Sequence, residues 1–501
     1  MAELKLQDLV PIRWPSGPLE IARREKDEGF GARARQTLER WHEPAALDML
    51  KNTPVDCVVL SWAAGLPADA AQWRTAAPLV EAARRRNLAV IGWVEGAADH
   101  RPALAAAKSA GLSAVALRNF KGGADLPVLA WSERGDVPWD SPAPLVAIAG
   151  NVWPSVNPAA GGGDANAGPT GLPWLDSNGW YIQMARARLR PPLWVVFDPP
   201  GKRAAVPARG YVNAICDSEA AGARWPISLD DDLRAGMAEG AAPALESWSQ
   251  IWAAARFFQQ HGEWRPYVSL GLVGVISDFT GEDFALSGEI LNLMARRDLL
   301  FRVIWKSQAS GQALAGLKAV VYADAAPPSP ALRRQIADFV ETGGLAVTGP
   351  GWGAEGKPAP PDFSTQFDVR AVGKGRLAVA RDALTDPYQV AVETQFLLSH
   401  RYDLVKIYNA PSAGSTRFTA PAGGRKALLQ CLSYADAGRG GLRTIWVHRK
   451  FAKTRLWTIG EQPVPIEPAP SEEYTGVEYH LPANASRSYV ALEFEEQGGT
   501  K

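Results

Sequence analysis

Only three cysteines occur in the 501 residues, Cys57, Cys216 and Cys431, far apart and without a CxxC spacing. This excludes a disulfide framework, and their apolar surroundings read as buried free thiols. Six histidines are equally scattered, with no HExxH and no Cys/His cluster. No metal site and no cofactor is therefore expected. Neither sign of charge is in excess, since Lys+Arg and Asp+Glu both number 53. Such a chain has no global field to hold nucleic acid or an acidic membrane, and neither is expected as a partner. No run of about 18 apolar residues is present, and residues 1–8 lack the apolar stretch of a signal peptide. The sequence as it stands predicts a cytoplasmic protein, or a periplasmic or secreted one if a signal peptide was removed. The P-loop pattern GxxxxGK[ST] and the nucleophile elbow GxSxG are absent too, which excludes those phosphate-binding and hydrolase designs.

Tryptophan, by contrast, is abundant. There are 19, and 15 of them fall from Trp14 to Trp264. A flat π-face matches the C–H face of a pyranose, so a tryptophan-rich first half suggests a groove for sugar rings. Hydrophobic residues make up 47% and charged residues 21%, a globular composition, and the length calls for several domains.

The first 260 residues alternate short apolar runs with helical stretches, the βα signature of a parallel sheet. Eight strands are read at 9–14, 56–62, 89–95, 114–119, 127–131, 145–150, 193–198 and 225–229. Helices are expected at 32–51, 75–86, 102–110, 178–189 and 208–222. Eight strands in about 230 residues fit a TIM (β/α)8-like barrel over 1–262, with irregularity around the fifth strand. A seven-stranded or open sheet is the alternative. A glycine-rich stretch, 158–171, reads as a mobile loop on the active face. Over 263–385 a compact strand–helix alternation predicts a doubly wound, flavodoxin/Rossmann-like α/β domain. The GxG at Gly351–Gly353 has no helix pattern after it, so no dinucleotide is expected there. From 386 to 496 short alternating segments separated by turns predict an antiparallel β-sandwich.

Active residues of such barrels lie at the C-terminal ends of the strands. The polar and aromatic residues there are Arg13 and Trp14, Ser61 and Trp62, Trp93 and Glu95, Arg118 and Asn119, Trp131 and Glu133, Asn151 and Trp153, and Asp198. Asp230, Asp231 and Asp232 follow the eighth strand and read as a helix cap and solvated face. Asp176, Asn178 and Trp180 either cap a helix or line the groove. Glycosidic cleavage needs two carboxyl groups flanking the scissile bond, one of them kept protonated by apolar surroundings. Glu95 follows Trp93, Glu133 follows Trp131, and Asp198 precedes Pro199 and Pro200. The first pair of candidates is Glu95 with Asp198, and Glu133 is the third.

The order of barrel, small α/β domain and β-sandwich resembles that of family 42 glycoside hydrolases, the β-galactosidase type. Residues 317–350, LKAVVYADAAPPSPALRRQIADFVETGGLAVTGP, are similar to the trimerisation domain of that family. The resemblance implies a glycoside hydrolase acting on an oligo- or polysaccharide, with a galactoside as the substrate in the family's manner, and a homo-oligomer, trimer or dimer. It departs at one place. The family carries an Asn-Glu pair at the end of strand 4, with Glu as acid/base, where this sequence reads Arg118-Asn119-Phe120. The alternatives are a non-catalytic carbohydrate-binding barrel, which the missing Glu motivates, and a scaffold whose middle domain drives assembly.

Overall fold

The computed structural model describes residues 5–96, 99–118, 120, 125–157, 174–201, 206–353, 355–360, 366–399, 402–408, 413–434, 441–470, 474–481 and 488–496. The contacts divide the chain into two compact units, Met1–Pro154 with Leu189–Arg265, and Ser155–Arg188 with Pro266–Lys501.

Seven parallel strands make the sheet of the first unit, hydrogen-bonded in chain order: β1 (Pro11–Trp14), β2 (Cys57–Ala63), β3 (Ala89–Val94), β4 (Ala114–Arg118), β5 (Val128–Glu133), β6 (Val146–Ala149) and β7 (Leu193–Val195). Every residue of β2 and β3 is buried, as both faces of a parallel sheet require. The eighth strand of the sequence reading is reduced to two parallel bridges, Trp194 to Arg224 and Ile12 to Ile227. They suffice to join the two edges. Arg224 bonds the carbonyl of Leu193, and Arg13 donates to the carbonyl of Ile227 at 2.8 Å, so the sheet returns to its own first strand.

Side chains alternate across a strand, so one parity fills the interior of this ring. Val59, Ile91, Trp93, Ala116, Leu129, Trp131, Ala147 and Val196 belong to one buried cluster there. The opposite parity meets the surrounding helices. Among these are Asp69–Arg85, Arg101–Ala110, Ala208–Ala220 and Ala242–Gln260. The helix expected over 32–51 runs only over Ala32–Trp41, and Pro44 opens a separate 3-10 stretch, Pro44–Leu50. No helix separates β4, β5 and β6 among the described residues, which is the irregularity expected around the fifth strand.

The second unit holds a seven-stranded sheet. Its parallel strands run Phe301–Trp305, Val273–Ser277, Ala319–Tyr322, Leu345–Thr348 and Gly375–Ala380, with two antiparallel strands beyond, Phe367–Val372 and Lys357–Pro358. The first-formed strand lies inside the sheet, with neighbours added on either side, as in doubly wound folds. Two antiparallel sheets follow, of six and four strands. One core takes Phe418, Leu429, Leu456 and Leu492 from the larger and Val405, Ile445, Val447 and Val477 from the smaller. That is the inner layer of a β-sandwich. No helix of the described residues is long and apolar enough to cross a membrane.

Candidate functional site

The interior parity of the ring, continued to the C-terminal ends of its strands, gives Arg13, Ser61, Trp93 and Glu95, Arg118, Trp131 and Glu133, and Asp198. The indoles of Trp93 and Trp131 stack there, centroids 5.2 Å apart. Trp131 donates its ring N–H to the carbonyl of Val94 at 2.8 Å. Above them lie guanidinium groups, that of Arg13 5.9 Å from the Trp93 centroid and that of Arg118 5.6 Å from Trp131. These rings are therefore a floor capped by cations rather than bare stacking platforms.

Asp198 stands on this rim with its side chain 62% accessible. Arg13 donates to both carboxylate oxygens, at 3.2 and 3.3 Å, and the Ser228 hydroxyl donates to one at 2.6 Å. Burial among the strand ends pushes the Asp198 carboxyl up. Arg13, the Ser228 hydroxyl, Arg234 and Arg23 outweigh this and hold it below the usual aspartate value. A lowered folded-state value means that ionised Asp198 stabilises the fold above the ordinary carboxylate range, and that this contribution is lost as pH falls through the lowered value. We expect the acid limb of any rate profile governed by Asp198 to lie below about pH 3.9. Arg13→Gln should move that limb upward, and a limb unmoved in a kcat/KM–pH series would remove Arg13 from this role.

Glu95 is held differently. Arg23 reaches it at 2.5 Å and also bonds Glu20 at 3.0 Å. Glu20 is buried and accepts a short hydrogen bond from Ser61. Neither Glu20 nor Arg23 was among the candidates read from the sequence. The available signal was spacing, because Glu20, Arg23 and Arg24 lie at i, i+3 and i+4 on the helix Gly17–Arg24, which starts directly after β1. Arg24 in turn pairs with Asp231, at 2.8 Å through one nitrogen, and Arg234 bonds the same carboxylate. Burial raises the Asp231 carboxyl, but these two arginines more than reverse it. Asp230 is the expected helix cap, accepting from the Leu233 amide at 2.7 Å. Asp231 is thus part of a half-buried ion-pair network rather than of a solvated face, and Asp232 remains exposed beside Arg33.

Glu133 has no ion-pair partner among the described residues and is exposed. Its carboxylate lies 2.8 Å from the position that a Cβ on Gly150 would take, and Gly150 has φ +75°. Gly150→Ala is expected to displace the Glu133 carboxylate and to cost about 1–2 kcal/mol of stability from the left-handed backbone alone. A melting temperature equal to the parent's would show that the loop relaxes freely. Asn151 donates to the carbonyl of Ile148 at 2.6 Å, while its buried Oδ1 has no partner among the described residues. Arg118 pairs with Asp136 at 3.3 Å. Asn119 and the loop 158–171 lie outside the described residues.

Several expected sugar contacts are packing instead. Trp14 and Trp62 are fully buried and donate their ring N–H groups to the carbonyls of Trp41 and Ala103. Each sits one residue from an interior position, so the twofold alternation turns it toward the helices. Trp153 packs edge-on against Phe197, Tyr211 and Trp225 and is partly accessible. Asp176, Asn178 and Trp180 belong to the second unit. There Ser177 bonds Asn292 at 3.2 Å, Asn178 is fully buried, and the indole of Trp180 occupies the space beside Gly288. Burial pushes the neighbouring Glu289 carboxyl up to about 7, and the charge of Asp176 adds to the shift.

Three carboxylates of the second unit, Asp278, Asp283 and Asp324, place oxygens within 4.8 Å of one another. The chain supplies its own cation, since Lys306 bonds Asp324 at 2.6 Å and Asp278 at 3.1 Å. Gly351, Gly353 and Gly356 have the spacing of a dinucleotide fingerprint after a strand. Among the described residues the 3-10 turn Pro350–Trp352 is followed by the strand Lys357–Pro358 and by no α-helix N-terminus that would receive a phosphate.

No protein-family model matches the chain, and no curated protein sequence matches it. Solved structures resemble it. The α-L-fucosidase isoenzyme 2 from Paenibacillus thiaminolyticus superposes with a TM-score of 0.54 at 10% identity, over 92% of this chain and 96% of that one. A GH42 β-galactosidase from G. stearothermophilus gives a TM-score of 0.44 at 10% identity, over 74% of this chain and 64% of that one. The β-galactosidase from Bacillus circulans sp. alkalophilus gives 0.39 at 10% identity, over 84% and 67%. The fucosidase alignment shows that the chain shares the fold of that structure over most of its length.

Proposed function

We propose that the protein is a glycoside hydrolase whose site is the carboxylate rim of the first unit. The observation that carries this is the gathering of Glu95, Glu133 and Asp198 on one parity at the strand ends, around the Trp93–Trp131 floor. Asp198, clamped by Arg13 and Ser228, serves as the ionised carboxylate that meets positive charge developing on the sugar. Glu133, which has no ion-pair partner among the described residues, serves as the proton donor. Glu95, tied to Arg23, orients substrate hydroxyls. The substrate is an oligo- or polysaccharide, with galactosides and fucosides the first to try. The active protein is a homo-oligomer, which light scattering would check.

Glu133→Gln is expected to lower turnover of p-nitrophenyl glycosides by about 100- to 10,000-fold, the range for loss of a general acid. Hydrolysis of a dinitrophenyl glycoside, whose leaving group needs little protonation, should fall far less. Equal losses on both substrates would assign Glu133 another role. A second reading is a barrel that binds glycans without cleaving them. The ion pair on Asp198 favours it, because Arg13 already pairs with the carboxylate that the reaction would use. Binding in a glycan panel with no product after long incubation would decide for this second reading.

A further inference from the structure

The four-stranded sheet of the sandwich has an outer face that the barrel's function does not use. In an antiparallel sheet with one face on a core, the other is expected to be polar. Here Val405 and Ile407, Ile445 and Val447, and Val477 and Tyr479 point inward to the core. The alternating positions point outward and are Lys406 and Tyr408, then Leu442, Thr444 and Trp446, then Gly476, Glu478 and His480. Tyr408 is 52% exposed. Trp446 is paired across the strands with Lys406 on one side and Gly476 on the other. Its indole passes within 3.4 Å of where a Cβ on Gly476 would stand, so the missing side chain lets the ring cross the sheet there. Tyr474 stands perpendicular to it, at 84° and 6.2 Å, and His448 stacks on Tyr474 at 4.6 Å. The result is a corner with the indole as one wall and the Tyr474–His448 pair as the other.

From this corner we infer that the outer face of the sandwich is a second, non-catalytic binding site for a neutral glycan chain. The partly exposed indole face suits the C–H face of a pyranose, while the Tyr474 ring carries His448 and, 5.9 Å from its centroid, the Lys406 ammonium. Polar groups alternate with the rings at strand spacing, Lys406 beside Trp446, and Thr444 hydrogen-bonded to Glu478 at 3.3 Å, where sugar hydroxyls would need donors and acceptors. Lys406 against Glu478, with His480 neutral at pH 7, leaves no net field for an anionic polymer. The size argues against a protein partner. Three strands by six residue steps make a patch of roughly 300 Å². Each side of an ordinary protein–protein interface buries about 800 Å². The inference stands on these side chains and does not require the barrel to be catalytic.

Native affinity electrophoresis of the full chain in gels holding galactan, xyloglucan or soluble starch tests it without turnover. The parent should be retarded by at least one polysaccharide. Trp446→Ala should weaken that retardation at least tenfold in apparent Kd, while Trp446→Tyr, which keeps a ring, and Asp198→Asn should retain it. Tyr408→Ser, at a half-exposed position, gives a second variant should Trp446→Ala fail to fold. Three outcomes overturn the inference. They are a parent that runs unretarded in every gel, face variants that run like a retarded parent, and a Trp446→Ala that converts a sedimenting dimer to monomer.

Discussion

Asp198→Asn is expected to reduce kcat by about 1,000-fold or more, equivalent to about 4 kcal/mol of barrier, with KM little changed. The amide has the shape of the carboxylate and can still accept from Ser228 and Arg13, at the positions now 2.6 and 3.2 Å away. The fold should therefore persist, and the lost quantity is the negative charge alone. That charge is what the surroundings favour, since Arg13, Ser228, Arg234 and Arg23 together hold the Asp198 carboxyl below the usual aspartate value. An interaction realised only as the sugar becomes cationic appears in kcat rather than in KM. The measurement is steady-state hydrolysis of p-nitrophenyl galactosides and fucosides by parent and variant of equal melting temperature. A variant within threefold of the parent would remove Asp198 from the reaction and shift weight to Glu95.

The second large effect concerns stability. Glu219 is buried and bonds Arg224 at 2.7 Å through one oxygen and Arg265 at 3.0 Å through the other. Arg224 is almost inaccessible and also donates to the backbone carbonyls of Asp8 and Leu9. Glu219→Ala would leave a buried guanidinium without its counter-charge, which typically costs about 3–5 kcal/mol. For a unit of this size that is a drop of roughly 10 °C in melting temperature. The double variant Glu219→Leu with Arg224→Met removes both charges and should recover much of the loss. Calorimetry showing Glu219→Ala within about 2 °C of the parent would mean that water already reaches the pair.

Strand positions in the first unit were legible because a parallel sheet buried on both faces writes itself as apolar runs. The sequence reading of 56–62, 89–95 and 114–119 differs from the structure by a residue or so at each end. Which way each tryptophan faces was harder. The ends of strands were read as if every residue there met the ligand, yet Trp62 lies beside the interior residue Ser61 and turns outward by alternation alone. Trp248 and Trp264 pack within the first unit. Trp248 bonds the Met49 carbonyl, and Trp264 stacks on His261. The placing of Asp176 to Trp180 was not legible at all. It depends on the space at Gly288 and on Asn292, more than 100 positions later, and no local pattern near residue 178 carries that information. Glu20 and Arg23 escape a reading confined to strand ends because they stand on the helix after β1, from which they reach Ser61 and Glu95.

The two-bridge closure of the ring has a consequence for how the chain is made. Arg224 and Leu9, which meet at the seam, stand 215 positions apart. During synthesis from the N-terminus, β1 has no neighbour on its outer side until residue 227 has emerged. Until then seven strands can form only an open ribbon with unpaired backbone at both edges, the kind of surface that recruits other chains. Contacts of such long range are also slow to form. The vulnerable interval for this protein is therefore the wait for its thinnest strand, and a chain halted before residue 224 would remain in it.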